Sequence, residues 1–227
     1  MSDPASAAKP APLRRLLRVA SIAALVLLPL VGVAAMLALQ APRWWKPVAR
    51  GDAAAADRAA AFEQSVVSEF TRVRPDAPEW AVRIRESEVN DWLGTRLPVW
   101  LESRGETAPI AVQARFTPGV VRVGTDLRRV VAWWQGCPQP SEGGLRLASP
   151  GGGVGRLPVP LVGVGLDRVL DRQALAAPIR LADGRRVRLL DLEVLDGEVR
   201  LRLRTEPSER GFRPSEPGAA ASAGEMP

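Results

Sequence analysis

Hydrophobic positions follow three different periods along this 227-residue chain. From Val19 to Gln40, "VASIAALVLLPLVGVAAMLALQ", they run with no charged residue between them. Val19 to Leu39 is 21 residues. A helix rising ~1.5 Å per residue needs about 20 of them to cross ~30 Å of hydrocarbon. The run therefore predicts a transmembrane helix over 19–40, with Pro29 tolerated as membrane helices tolerate proline. Lys9, Arg14, Arg15 and Arg18 precede it, and Trp44 and Trp45 follow as interfacial anchors. A cleaved signal peptide is the rival reading. The stretch exceeds the ~7–15-residue core of such signals and ends without an A-x-A motif, which favours a retained anchor. Arg43, Lys46 and Arg50 nearly balance the first basic cluster, and the lean is towards N-terminus inside and domain outside the cytoplasm.

A helical period follows. Phe62, Val66, Phe70 and Val73 fall on one stripe, predicting a helix capped by Asp52, ended by Pro75 and packed on a sheet. "WAVRIRES" reads as a short strand with Val82 and Ile84 on one face. Ser87 can cap a short helix, "EVNDWLGTRLP", that should break at Leu97–Pro98, with Trp92 and Trp100 sealing the core. A further helix is expected from about Pro160, with Leu166, Val169 and Leu170 inward.

The third period is two, the alternation of strands. "IAVQARFTPGVVRVGTDL" predicts a hairpin turning at Pro118-Gly119, and "RRVVAWWQ" extends it. "GLRLA" offers a short strand. "SPGGGVGR" lacks the GKS/GKT ending of a phosphate loop and reads as a flexible loop. Asp196-Gly197 sits between alternating stretches, the strongest short-range hairpin signal. A two-residue turn there sets Leu195 against Glu198, Glu193 against Arg200, Asp191 against Arg202 and Arg188 against Thr205. The apolar set Leu190, Leu192 and Val194 then meets Leu203, Leu201 and Val199. Asp183-Gly184 repeats the device, so residues 179–205 should form a three-strand meander.

These elements predict an α+β fold: an N-terminal transmembrane helix followed by helices packed on an antiparallel meander sheet. The organisation expected is a cytoplasmic segment over 1–18, the membrane helix over 19–40, a linker over 41–51 and an extracytoplasmic domain over 52–205. Residues 206–227 hold too few apolar side chains to pack and read as a disordered tail.

Composition narrows the chemistry. There is no His and no Tyr, which removes the usual general base at neutral pH and the commonest metal ligand. No catalytic set, metal-ligand cluster or cofactor motif stands out, so a non-enzymatic protein without cofactor is expected. Residues 43–227 carry 27 basic and 24 acidic side chains, a balance that, with the location, argues against nucleic acid as partner. The lone Cys137 cannot close an intramolecular disulfide. It reads as an inert thiol, or as an intermolecular bridge in an oxidising compartment.

Few residues offer themselves as a site. Arg200, Arg202 and Arg204 stand at two-residue spacing and could face phosphate, lipid or polymer. The carboxylates opposite them favour a charge-paired, solvated sheet face. Arginine outnumbers lysine 29 to 2, so any one arginine is weak evidence for a site. Asn90, the only Asn, could contact a ligand beside Trp92 or bond to backbone near the helix start, and the second is favoured. Asp167 and Asp171 share a helix face, yet no substrate-binding set accompanies them.

The order of anchor, Ala-rich helix, "VRIRESEVNDWL", hairpin "FTPGVVRV", "LPVPLVGVGLDRVL" and the terminal meander resembles the YpmS-type bacterial membrane proteins. More remotely it resembles half-modules of tubular lipid-binding domains. In such proteins a helix begins at "(I/V)-x-(I/V)-(T/R)-E-x-(E/Q)-(L/V)-N". Val82, Ile84, Glu86, Glu88, Val89 and Asn90 stand in those places. The resemblance implies a curved sheet wrapped on a helix, with an apolar groove for an acyl chain.

The leading expectation is a single-pass protein of the inner membrane, held in the bilayer, whose domain binds lipid or an envelope protein partner. An interaction scaffold with a filled core is the alternative, and a hydrolase using Asp167 and Asp171 the third. A continuous apolar groove, against a filled core, separates the first two.

Overall fold

The computed structural model of the chain describes residues 11–74, 78–141, 144–159, 179–181 and 184–206, with backbone alone for 11–24, 144 and 149–150. Helix α1 is Ala11–Leu39, α2 is Ala53–Thr71 and α3 is Glu86–Ser103. The strands are β1 Glu79–Arg85, β2 Val112–Thr117, β3 Val120–Asp126, β4 Val131–Ser141, β5 Gly144–Val154, β6 Leu157–Pro158, β7 Ile179–Arg180, β8 Arg186–Leu195 and β9 Glu198–Glu206. They form two antiparallel sheets, β1-β9-β8-β7 and β2-β3-β4-β5-β6. The architecture is α+β, as the periodicity predicts, with two sheets where a single meander is expected.

The sheets meet at a corner. The turn between β2 and β3 donates from Gly119 N to Val194 O at 2.9 Å, and Gly197 N reaches Phe116 O at 3.2 Å. Ala114 and Phe116 of β2 pack there with Val194 of β8 and Val199 of β9, and Val89 and Leu93 of α3 cover them. A second core joins Trp80, Val82, Val187 and Leu203. Phe70 of α2 meets Trp80 edge-on at 5.3 Å between centroids, a favoured aromatic geometry.

Asp52 caps α2 as expected, its Oδ1 accepting from Ala55 N at 3.0 Å. The helix packs chiefly on α3 rather than on a sheet, because Ala55 and Ala59, both 0% exposed, allow close approach. Phe62, Val66 and Phe70 are half-buried. Val73 lies beyond the helix end and is exposed.

Four expectations need correction. Helix α3 starts directly from β1, with Arg85 as its N-cap and Ser87 inside the first turn. It does not break at Pro98. It continues to Ser103, where Glu106 N donates to Leu101 O and Gly105 N to Glu102 O, both at 3.0 Å. That is a Schellman closure, and Gly105 supplies its left-handed residue at φ +74°. Trp100 does not seal the core; it is 46% exposed under the Arg104 guanidinium. Finally, "SPGGGV" is not a loop but the second half of β5, paired with β4 at Gln135↔Gly151, Trp134↔Gly152 and Trp133↔Gly153. The absent side chains are the reason. A Cβ on Gly153 would overlap the Trp133 ring at 2.6 Å, so the indole lies where a neighbouring side chain would stand.

The hairpin register agrees from Leu195↔Glu198 through Glu193↔Arg200 to Asp191↔Arg202. Beyond that a bulge between Leu189 and Asp191 shifts the pairs by one, giving Leu189↔Leu203, Arg188↔Arg204 and Val187↔Thr205. Leu190, expected opposite Leu203, is the extra residue of this bulge.

Among the described residues no helix is long and apolar enough to cross a membrane. Of the expected span, only Leu25–Leu39 have described side chains, fewer than the ~20 a crossing needs. The expected helix from Pro160, with Asp167 and Asp171, lies outside the described residues, as do Asp183 and the tail from Pro207.

Candidate functional site

The residues singled out from the sequence do not converge. Asn90 is spent on structure. From the second turn of α3 its Oδ1 accepts from Ala114 N at 2.7 Å and its Nδ2 donates to Ala114 O at 3.0 Å. Four residues earlier, on the same face of α3, Glu86 Oε2 accepts from Phe116 N at 2.6 Å. Strand β2 is the edge of its sheet, and α3 satisfies its outward backbone groups as a neighbouring strand would. Trp92 is half-buried on the same helix.

Arg200, Arg202 and Arg204 line the solvent face of β9, whereas the Ala114 that Asn90 holds packs in the core with Val199 of the inward face. Their ion pairs differ from the cross-strand set expected. Arg200 pairs with Glu198 of its own strand at 2.6 Å, and Arg204 with Glu79 across β1. Glu193 is no partner of Arg200. Asp191 Oδ1 accepts instead from its neighbour Leu192 N at 2.9 Å. Among the described residues Arg202 has no ion-pair partner. Backbone register was predictable here; side-chain choice among nearby charges was not, because long arginines reach several carboxylates at similar cost.

Between α2 and β1 lies a groove of about 610 Å³. Phe62, Val66 and Val82 provide apolar wall, while Arg58, Arg83, Glu69 and Asp91 bring both signs of charge. Asp91 is nearly buried and held by Arg58 in a fork, Nε to Oδ2 at 2.7 Å and Nη2 to Oδ1 at 3.0 Å. This pair ties α2 to α3 and raises the Arg58 pKa, first through the hydrogen bond to Asp91.

The most heavily built region was missed by sequence reasoning. Residues 41–51, expected as a linker, cross the outer face of the β2–β6 sheet. Gln113, 6% exposed, grips them with its side-chain amide as a strand would, Nε2 donating to Trp44 O at 3.1 Å and Oε1 accepting from Lys46 N. Trp44 and Trp45 stack edge-on and press on Gly124, where a Cβ would meet either ring at 2.8 Å. The last turn of α1 docks beside them. Arg156 N donates to Leu37 O at 2.8 Å, Arg156 Nε to Ala41 O at 3.3 Å, and Gly155 sits against the Ala38 carbonyl. The one sequence signal was the pairing of "WWQG" with "GGGVG", bulky rings set opposite glycines. Comparison with protein-family models, curated proteins and solved structures finds no match.

Proposed function

We propose that this chain is a single-pass, non-enzymatic envelope protein whose α+β domain is held against the bilayer surface and contacts lipid there. The observation that carries this reading is the exposure of α1. Leu25, Val26, Leu27, Leu28, Leu30, Val31, Val33, Met36 and Leu39 are each more than half exposed. An apolar surface so long and contiguous is stable only when covered, and the charge-free run from Val19 fits a hydrocarbon covering. The domain is bonded to the end of that helix at Leu37 and Ala41 and packs against Ala38, so on this reading it stands at the membrane surface rather than on a tether. The basic residues before the run support N-terminus inside and domain outside the cytoplasm.

Two carboxylates withdrawn from water support a non-catalytic role. Asp91 and Glu86 have side chains 7% and 14% exposed, and both are engaged in holding elements together. The resemblance to YpmS-type proteins belongs with this reading. A second reading, a protein partner in the α2–β1 groove, is favoured by the mixed charge of its walls, which suits a polypeptide better than an acyl chain.

Alkaline carbonate extraction of membranes from cells making the full chain tests the anchor. The chain should stay in the pellet, and a variant lacking residues 19–39 should not. Release of the intact chain by carbonate overturns the reading. External protease on permeabilised envelopes tests the orientation.

A further inference from the structure

At the foot of α1 the docked segment and the β2–β6 sheet enclose a cleft of about 420 Å³, lined by Arg43, Trp44, Arg122, Trp133 and Arg156. Three guanidiniums line one small cleft, and among the described residues none of them has a carboxylate partner. Arg58, Arg83, Arg115, Arg188, Arg200 and Arg204, by contrast, have ion-pair partners. Arg122 is fixed by its Nε to Gln135 Oε1 at 2.8 Å, and Arg156 is steered by Nε to Ala41 O. Each contact uses one of five donors and leaves the Nη groups for another acceptor.

The walls are rigid for a stated reason. Gly124 and Gly153 admit the Trp44, Trp45 and Trp133 rings at distances no Cβ would allow, and Gln113 fixes the backbone of the segment that carries Arg43 and Trp44. The cleft lies beside the last turn of α1, where headgroups would lie if that helix spans the bilayer. Indole rings favour that depth, and guanidiniums bind phosphate by paired N–H donors. At the same end of the sheet, where Gly155 N bonds Val131 O at 2.7 Å, the β3–β4 turn exposes Leu127 beside Arg128 and Arg129.

We propose that the Arg43–Arg122–Arg156 cleft binds the phosphate of an anionic phospholipid, with Trp44 and Trp133 against its glycerol and upper chains. The proposal rests on the anchored reading for its lipid source. Its chemistry, a phosphate monoanion held by three arginines, is shared with free phosphate.

The test is native mass spectrometry of the full chain in neutral detergent, titrated with dihexanoyl phosphatidylglycerol, dihexanoyl phosphatidylcholine and inorganic phosphate. The native chain should retain one phosphatidylglycerol with at least about tenfold preference over phosphatidylcholine, and high salt should weaken it. Arg43→Gln/Arg122→Gln/Arg156→Gln should abolish the preference. Arg200→Gln/Arg202→Gln/Arg204→Gln should keep it. No preference in the native chain overturns the site, whatever the fold of the variants, and an unchanged preference in the cleft variant overturns its placement. Displacement by equimolar inorganic phosphate supports the same site with the free ion as its ligand; resistance to displacement supports lipid. Carbonate extraction stands apart from these outcomes: release of the native chain removes the anchor while the detergent titration still decides the cleft.

Discussion

Asn90 of α3 pairs with both backbone groups of Ala114, closing the exposed edge of β2 with a side chain in place of a strand. Ala114 is 2% exposed, so water cannot replace the lost partner easily. Asn90→Ala leaves a buried donor and a buried acceptor unmet, and each costs about 1–3 kcal/mol. Urea unfolding should show a loss above that of one ordinary hydrogen bond. Asn90→Asp can still accept from Ala114 N but cannot donate to its carbonyl, and should fall between native and Ala. Equal stability of native and Ala variants would remove the edge-closing role.

The Glu79–Arg204 pair gives a pH dependence with a defined sign. The hydrogen bond from Arg204, aided by the charges of Arg204 and Arg202, holds the Glu79 carboxyl below its ordinary value of 4.5. A carboxylate lower in the folded chain stabilises the fold above its unfolded value, and that contribution is lost as pH falls through the folded value. The native chain should therefore melt above Glu79→Gln at neutral pH, and the two should converge as acid carries the pH below the lowered value of the folded carboxyl. Both groups are well exposed, so the gap should be small and about 0.5 M salt should shrink it further. A gap that widens with acid contradicts the assignment.

Where local chemistry alone decides, sequence and structure agree. Asp52 caps α2, Pro118-Gly119 and Asp196-Gly197 turn their hairpins, and the apolar alternation puts Val199 and Leu203 inward. Some disagreements are local, such as the choice of Glu198 by Arg200, and the larger ones come from partners distant in the chain. Pro98 does not end α3, which runs on to a closure at Gly105. The glycines of β5 become strand beside β4, where the Trp133 indole lies over Gly153 and the Gln135 side chain over Gly151. Gln113 looks like an ordinary strand residue until the segment at Trp44 crosses it. The cleft combines Arg43 with Arg122 and Arg156, and no spacing rule joins positions so far apart.

The corrected hairpin register changes which leucine matters most. Leu203, 2% exposed, faces Leu189 and sits in the Trp80 core, whereas Leu201 is half-buried between the two cores. Leu203→Ala should cost ~2–5 kcal/mol and Leu201→Ala should fall at or below the lower end of that range. Arg202→Ala should cost under ~1 kcal/mol, since Arg202 makes no ion pair among the described residues and exposed charges contribute little. A double-mutant cycle on Asp191 and Arg202 should give near-zero coupling despite their register. Strong coupling there would show that the pair forms in solution.

The junction of α1 with the domain depends on Gly155. Its φ of +57° is a left-handed conformation, and a Cβ there would overlap the Ala38 and Leu37 carbonyls. Gly155→Ala therefore meets both backbone strain and a backbone clash that no side-chain rotation relieves. Gly105, at φ +74° with open space around it, carries the strain alone. The comparison separates the two effects. If the clash pushes α1 away, the segment at Arg43 and Lys46 opens more often, and trypsin reads that opening as a cleavage rate. A loss of one or two kcal/mol in the docked state corresponds to about 5–30-fold faster cleavage. Gly155→Ala should show that acceleration in detergent below the melting temperature measured for each variant. Gly105→Ala should lower the melting temperature without speeding the cut at Arg43. Equal cleavage rates in native chain and Gly155→Ala would mean that the helix is not docked where Leu37 meets Arg156.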